Sequence, residues 1–218
     1  MKGFFTQRPA LPRYTHTWSA DKVLQYFDSW HPAEDITLKQ LSIKVVVLIG
    51  LVTGQRCQTI HCMDTASMQK HDSKYRFMIN QLIKTSGPGR QQPVLVLPKF
   101  SSNIRRCVFS YIEQYIDRTK QFRTNHTKLF VSFCKPHKPV SKETVSRWIK
   151  TGLGEAGIDL STFAPHSIRS AATSAAKMAA VPLASIMRAG TWTRDSTFRR
   201  FYDKPIDIES DFALAVLK

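Results

Sequence analysis

Two arginines, a lysine, a histidine, a tryptophan and a tyrosine lie along this chain with the types and spacing needed to break a phosphodiester. Arg56 ends the run Thr53-Gly54-Gln55-Arg56, Lys84 precedes a turn-rich stretch, His166 and Arg169 bracket His166-Ser167-Ile168-Arg169, and Trp192 and Tyr202 come last. A phosphodiester under in-line attack gains charge on its equatorial oxygens. Two guanidiniums, each able to grip oxygens bidentately, lower the barrier where that charge develops. A phenol can then serve as nucleophile. With an ordinary pKa of about 10 it is mostly protonated at neutral pH, and neighbouring guanidiniums favour the phenolate together with the transition state. Such chemistry needs no metal and no organic cofactor.

Each residue also has an ordinary reading. A lone arginine is commonly a solvated surface group, but Arg56 follows a glycine in an apolar surround where a charge requires a partner. A lysine near a hairpin often only discourages edge pairing. His166 without Arg169 beside it would read as a core histidine. Trp192 is a good core filler, although its indole N–H can donate to a phosphate oxygen as an imidazole would. Tyr202 competes with Tyr14, Tyr26, Tyr75, Tyr111 and Tyr115, and it alone follows the arginine motifs at a suitable distance.

The elements that must position these groups can be read from periodicity and punctuation. Ser19 suits the N-cap of a helix with Val23, Leu24, Phe27 and Trp30 on one face. A second helix from about Thr37 carries Leu38, Leu41, Val45, Leu48 and Val52, and meets Gly54, a residue fit for the left-handed position that ends a helix. Arg56 therefore falls at a turn between packed elements. β-like segments at 75–84 and 93–98 flank Thr85-Ser86-Gly87-Pro88-Gly89-Arg90, with Lys84 where the first strand enters the loop. Helices are expected at 103–120 and 141–156. Pro165 suits the first turn of a further helix starting near His166, and a separation of three puts His166 and Arg169 on one face. The expected fold class is mainly α with a small antiparallel β-sheet.

Composition points the same way with less specificity. The chain has 218 residues, 42% of them hydrophobic, which suits one domain with a proper core. Thirty-two Lys and Arg against 16 Asp and Glu leave a net charge of +16, an excess that favours a polyanion; a ribosomal or membrane-surface protein could share it. The four cysteines form no CxxC pair and no secretory leader precedes them, so reduced thiols in an intracellular compartment are expected. Cys57, His61 and Cys62 lack a second pair of ligands and read as core packing rather than a metal site. The longest apolar run, Val45 to Val52, is far too short to span a membrane.

Taken together, TGxR at Thr53–Arg56, HxxR at His166–Arg169, Trp192 and the late Tyr202 resemble the tyrosine recombinase (phage integrase) family. The segment Ile186–Thr193, with tryptophan in place of histidine, looks Cre-like. The segment Ser196–Pro205 looks more like recombinases of eukaryotic mobile elements of the DIRS type. Two departures stand out: Tyr202 lies ten residues after Trp192, one more than the Cre-like and Xer-like spacing, and Thr59 occupies a position often acidic in the family. The resemblance implies a catalytic domain over residues 19–205, an N-terminal arm or linker remnant at 1–18, and a C-terminal helix at 206–218 that docks on a neighbouring protomer or folds back on its own core. The family's usual α-helical clamp domain has no counterpart ahead of residue 19. The resemblance also implies double-stranded DNA as partner, a homo-oligomeric synaptic tetramer, a nuclear location for such an element, and no membrane.

The implied mechanism is transesterification without energy input. Tyr202 would form a 3′-phosphotyrosyl link, Arg56, Arg169 and Trp192 would hold the non-bridging oxygens, Lys84 would protonate the leaving 5′ oxygen, and His166 would assist deprotonation of the phenol. Two other classes fit many of the same residues. A type IB topoisomerase-like enzyme would relax supercoils as a monomer, and a domesticated, inactive DNA-binding module would keep the charge and the fold alone.

Overall fold

In a computed structural model, residues 12–206 are described, and they form a mainly helical fold with one three-stranded sheet, as the periodicity predicts. In chain order the elements are α1 (Ala20–Asp28), α2 (Leu38–Thr53), α3 (Cys57–His61), β1 (Met68–His71), β2 (Lys74–Met78) and β3 (Val94–Pro98). They are followed by α4 (Val108–Thr119), α5 (Lys142–Glu155), α6 (Ile168–Met178), α7 (Leu183–Ala189) and α8 (Asp195–Phe201). The expected C-terminal helix lies outside the described residues apart from Ile206, as does the arm as far as residue 11. Among the described residues no helix is long and apolar enough to cross a membrane.

α2 is the axis of the core. It starts at Thr37, whose hydroxyl accepts from the Gln40 N–H while the Gln40 side chain accepts from the Thr37 N–H, so two otherwise orphaned donors are satisfied. It is apolar nearly all round, with Leu41, Val45, Val46, Val47, Leu48 and Ile49 buried, and such a helix needs partners on every side. α4, α5 and α6 supply them. The helix stops at Gly54, whose φ of 60° is left-handed. Lys44, fully buried on α2, donates to Phe27 O at 2.6 Å, Trp30 O at 2.7 Å and the Tyr111 hydroxyl at 2.7 Å, and so ties the end of α1 to α2 and α4.

The sheet has the order β1-β2-β3, both pairs antiparallel, with Phe77 opposite Met68 on one side and Leu95 on the other. Tyr75, Phe77, Leu95 and Leu97 turn inward, Tyr75 against Phe109 on α4. The first predicted strand is shorter than expected. It ends at Met78 instead of reaching Lys84, because beyond Ile79 the chain is held by side chains rather than by ladder bonds, Ser86 Oγ accepting from Ile83 N and pairing with Gln92. β1 was not foreseen. Its Met68-Gln-Lys-His sequence has no apolar alternation and presents a largely exposed edge.

Two apolar clusters result. The larger contains α1, α2, the sheet, α4, α5 and the start of α6. The smaller consists of Ile186, Trp192 and Phe198, with Ala176, Leu183, Met187 and Tyr202 against it. α6 runs between them and carries Arg169.

Candidate active site

The Gly54 turn places Gln55 and Arg56 immediately after the core helix. Arg56 is the N-cap residue of α3, half-buried, and among the described residues no hydrogen bond or ion pair holds its guanidinium. Gln55 is 3% exposed and its amide donates to Ala189 O at 2.6 Å, which fastens the turn to the end of α7.

Arg169 is 1% exposed and joins three segments through one planar group. Its Nε donates to Gly54 O at 2.7 Å, Nη2 to Gly190 O at 2.9 Å, and Nη1 to the Tyr202 hydroxyl at 3.1 Å. A guanidinium has five N–H groups, so two remain for an incoming anion. The group lies 4.4 Å from the Trp192 ring centroid and 4.6 Å from that of Tyr202, and because those two rings touch each other the three pack as a triangle. Burial lowers its affinity for the proton, as does Arg56, while Tyr202 opposes this. A guanidinium nevertheless stays charged in proteins. Among the described residues no carboxylate pairs with it.

Trp192 follows Gly190, where an added Cβ would sit 1.7 Å from the indole, so only glycine leaves room for the ring. The ring packs against Phe198 and Tyr202, at 5.2 and 4.8 Å between centroids, and its Nε1 is buried without a hydrogen-bond partner. An orphaned buried N–H beside the Arg169 guanidinium is a donor awaiting an acceptor.

Tyr202 is the residue that closes α8, with its N–H on Phe198 O at 2.8 Å. α6 stitches the tyrosine's chain in place: Thr173 Oγ1 donates to Tyr202 O at 3.1 Å, Ser174 Oγ to Lys204 O at 2.6 Å, and Lys177 pairs with Asp203 at 2.8 Å. The helix that carries Arg169 thus fixes the phenol as well.

His166 and Arg169 differ in exposure, although the Arg169 charge is felt at the imidazole. Residues Pro165–Ser167 form a 3-10 turn, with α6 beginning only at Ile168, and His166 is exposed while Arg169 turns inward. Packing around the imidazole lowers its pKa, and the cations Arg13 and Arg169 lower it further. Lys84 lies in an exposed turn rather than at a strand end, and its N–H donates to the Gln58 side chain at 3.0 Å. Gln58 is two residues past Arg56, so the lysine's loop is anchored to α3.

The structure therefore gathers Arg169, Trp192 and Tyr202 in mutual contact, sets Arg56 close enough to Arg169 to be felt electrostatically, and holds the Lys84 loop to the Arg56 helix. Gln55, Gln58, Thr173 and Ser174 were not foreseen as positioning groups. For Gln55 there was a signal, since an amide directly after a left-handed glycine at the end of an apolar helix must bury and find a partner. Thr59 is buried, with no acidic group in its place. Among the described residues no three His, Cys, Asp or Glu side chains converge to hold a metal.

This chain belongs to the phage integrase family, whose model matches residues 31–206. Among solved structures its fold is similar to the XerH site-specific recombinase in a pre-cleavage complex with its difH substrate, at 13% identity and a TM-score of 0.65, over 95% of this chain and 55% of that one. It is likewise similar to the XerA recombinase, at 18% identity and a TM-score of 0.64, over 97% of this chain and 65% of that one. A lambda integrase tetramer bound to a Holliday junction matches at 19% identity and a TM-score of 0.50, over 88% of this chain and 50% of that one. The chain thus spans about half to two thirds of the length of these relatives in fold. No curated protein sequence matches it.

Proposed function

We propose that this chain is the catalytic domain of a site-specific DNA recombinase that breaks and rejoins strands through a 3′-phosphotyrosyl intermediate. The observation that carries this reading is Arg169, a buried cation with no carboxylate partner among the described residues, directed onto the Tyr202 hydroxyl and packed on Trp192. A buried charge is costly unless paired, and the missing partner here is an anion beside a phenol. Tyr202 attacks the scissile phosphorus, forming the Tyr202–phosphorus bond and breaking the bond to the 5′ oxygen. The phenol proton passes to His166, which is held neutral by its lowered pKa. Lys84 supplies a proton to the leaving oxygen, and Arg56, Arg169 and the orphaned Trp192 N–H hold the non-bridging oxygens. The bond energy is conserved, so rejoining needs no ATP, and Arg56, Arg169 and Lys84 supply the positive charge a metal would otherwise bring.

The partner is duplex DNA. From 118 to 142 no acidic residue interrupts a run of cations that includes Lys135, Lys138 and Lys142, and this stretch leads into α5, which packs on α3 behind Arg56. XerH and lambda integrase, similar in fold, were solved with DNA, the latter as a tetramer, which supports assembly of this chain on its substrate. Residues 19–205 form the catalytic unit. The tryptophan at 192 and the segment 196–205 favour a Cre-like member from a DIRS-type eukaryotic element, working in the nucleus. A nicked duplex that loses its short 5′ fragment on cleavage should trap the protein covalently. A binding module would form no adduct, and a topoisomerase-like enzyme would form one without exchanging strands between two duplexes.

Lys84 can be tested separately as the general acid. A 5′-thio leaving group departs with little protonation, so it should restore cleavage to Lys84→Ala and leave Arg56→Ala as slow as before. Equal failure of both variants on the thio substrate would assign protonation to another group.

A further inference from the structure

Residues 12–18, which precede the first helix, make contacts across the full length of the chain. Tyr14 is 7% exposed, and its hydroxyl accepts from the Ala164 N–H at 2.9 Å. Its ring lies 5.4 Å from that of Phe163 and 5.5 Å from the imidazole of His166, centroid to centroid. Trp18, also buried, donates its indole N–H to Ser167 Oγ at 2.9 Å. The 3-10 turn that carries His166 has no side-chain cap of its own, and these two contacts grip it at either end. Between them, the Thr17 N–H donates to Pro205 O at 2.9 Å, and Thr17 forms a parallel bridge with Ile206. One short extended segment therefore touches both the turn of the histidine and the chain just beyond the tyrosine.

We infer that residues 14–18 act as a strap that sets His166 relative to Tyr202, and that Tyr14 and Trp18 are positioning residues for the cleavage step. This rests on the recombinase reading above. Neither side chain reaches the reacting atoms. Tyr14 acts through the ring of His166 and the Ala164 N–H, Trp18 through Ser167, and the Thr17 main chain through Pro205. The fold gives His166 no hydrogen bond of its own among the described residues, so its orientation is set by the ring beside it. The strap's main chain meets that of the nucleophile three residues after Tyr202. A displacement of the strap would move base and nucleophile together or apart, and misplacement by about 1 Å is enough to slow a positioned reaction roughly 100-fold.

The test is single-turnover formation of the covalent adduct on a nicked duplex, read as a function of pH. For Tyr14→Ala we expect adduct formation slowed by about tenfold or more at unchanged DNA affinity. The acid limb of the pH profile should move to higher pH, because opening the packing around His166 returns its pKa towards the ordinary value while Arg13 and Arg169 remain beside it. Tyr14→Phe, which keeps the ring, should recover most of the rate and the original limb. Trp18→Phe keeps an aromatic ring while removing the donor to Ser167, and carries the same comparison should Tyr14→Ala fail to fold. Thr17→Val should match the wild type, since the Thr17 hydroxyl has no partner and the strap uses its main chain. In a His166→Gln background, Tyr14→Ala should add little further loss. Folded strap variants with unchanged rate and pH limb, or an equal loss in both His166 backgrounds, would overturn the strap alone. A wild-type protein that forms no adduct would overturn it together with the recombinase reading.

Discussion

Tyr202→Phe should abolish covalent attachment to DNA while leaving DNA affinity and thermal stability close to those of the wild type. Only the phenolic oxygen is lost. The ring keeps its place against Trp192, 4.8 Å away, and under the Arg169 guanidinium. The structural cost is the single part-buried hydrogen bond from Arg169 Nη1, a loss on the order of 1.5 kcal/mol, the lower end for a charged donor. The chemical cost is complete, because no other oxygen occupies that position beside Arg169. Digestion of the trapped wild-type adduct and mapping of the attached nucleotide should place it on Tyr202. An adduct that survives the substitution, or maps to another tyrosine, would remove the assignment.

The two arginines should separate when each is replaced. Arg56 holds no protein group, so Arg56→Ala is expected to leave the melting temperature within a degree or two and to slow cleavage by about 100-fold or more, since one clamp on the developing charge is lost. Arg169→Ala removes three hydrogen bonds that join Gly54, Gly190 and Tyr202, leaving the buried Gly54 carbonyl without its donor and Gly190 O with the Thr191 hydroxyl. A destabilisation on the order of 3 kcal/mol is expected beyond a loss of cleavage at least as large. Arg169→Lys should restore the charge and not the stability, because a single ammonium cannot span three acceptors set by a planar fork. Equal melting curves for the two alanine variants would mean that the buried arginine is not the joint described here. A fall in DNA affinity that matches the fall in cleavage for Arg56→Ala would assign it to binding.

Much of this arrangement could be read in the sequence wherever a local rule forced it. Gly54 was legible because a long apolar helix must end and only glycine takes a left-handed φ there without strain. Ser19 was legible as a cap, and Pro165 as a residue tolerated in a first turn. The motif residues could be singled out because arginine, histidine and tyrosine at those spacings share one chemistry. What could not be read depends on partners distant in the chain. Met68–His71 form a strand only because β2 offers its edge, and nothing in their own pattern asks for it. That His166 stays exposed while Arg169 is buried depends on what packs around each, which a count of three residues does not show. Tyr14 and Trp18 read as part of an arm ahead of the fold, yet they find Ala164 and Ser167 about 150 positions later.

The division of the interior into a large cluster and a small one gives the tyrosine's segment a thermodynamics of its own. Ile186, Trp192 and Phe198 bury little apolar surface compared with the main cluster, and residues 183–206 are attached to it chiefly by polar contacts from Arg169, Gln55, Thr173, Ser174 and Lys177. Local opening of such a unit costs a fraction of global unfolding. Without an anion, Arg56 and Arg169 repel each other at its edge and the Trp192 N–H stays unpaired, and both work against closure. A phosphate placed between them removes the repulsion and accepts that N–H. On the proposed function, engagement of a DNA phosphate would also add to the stability of the segment that carries Tyr202.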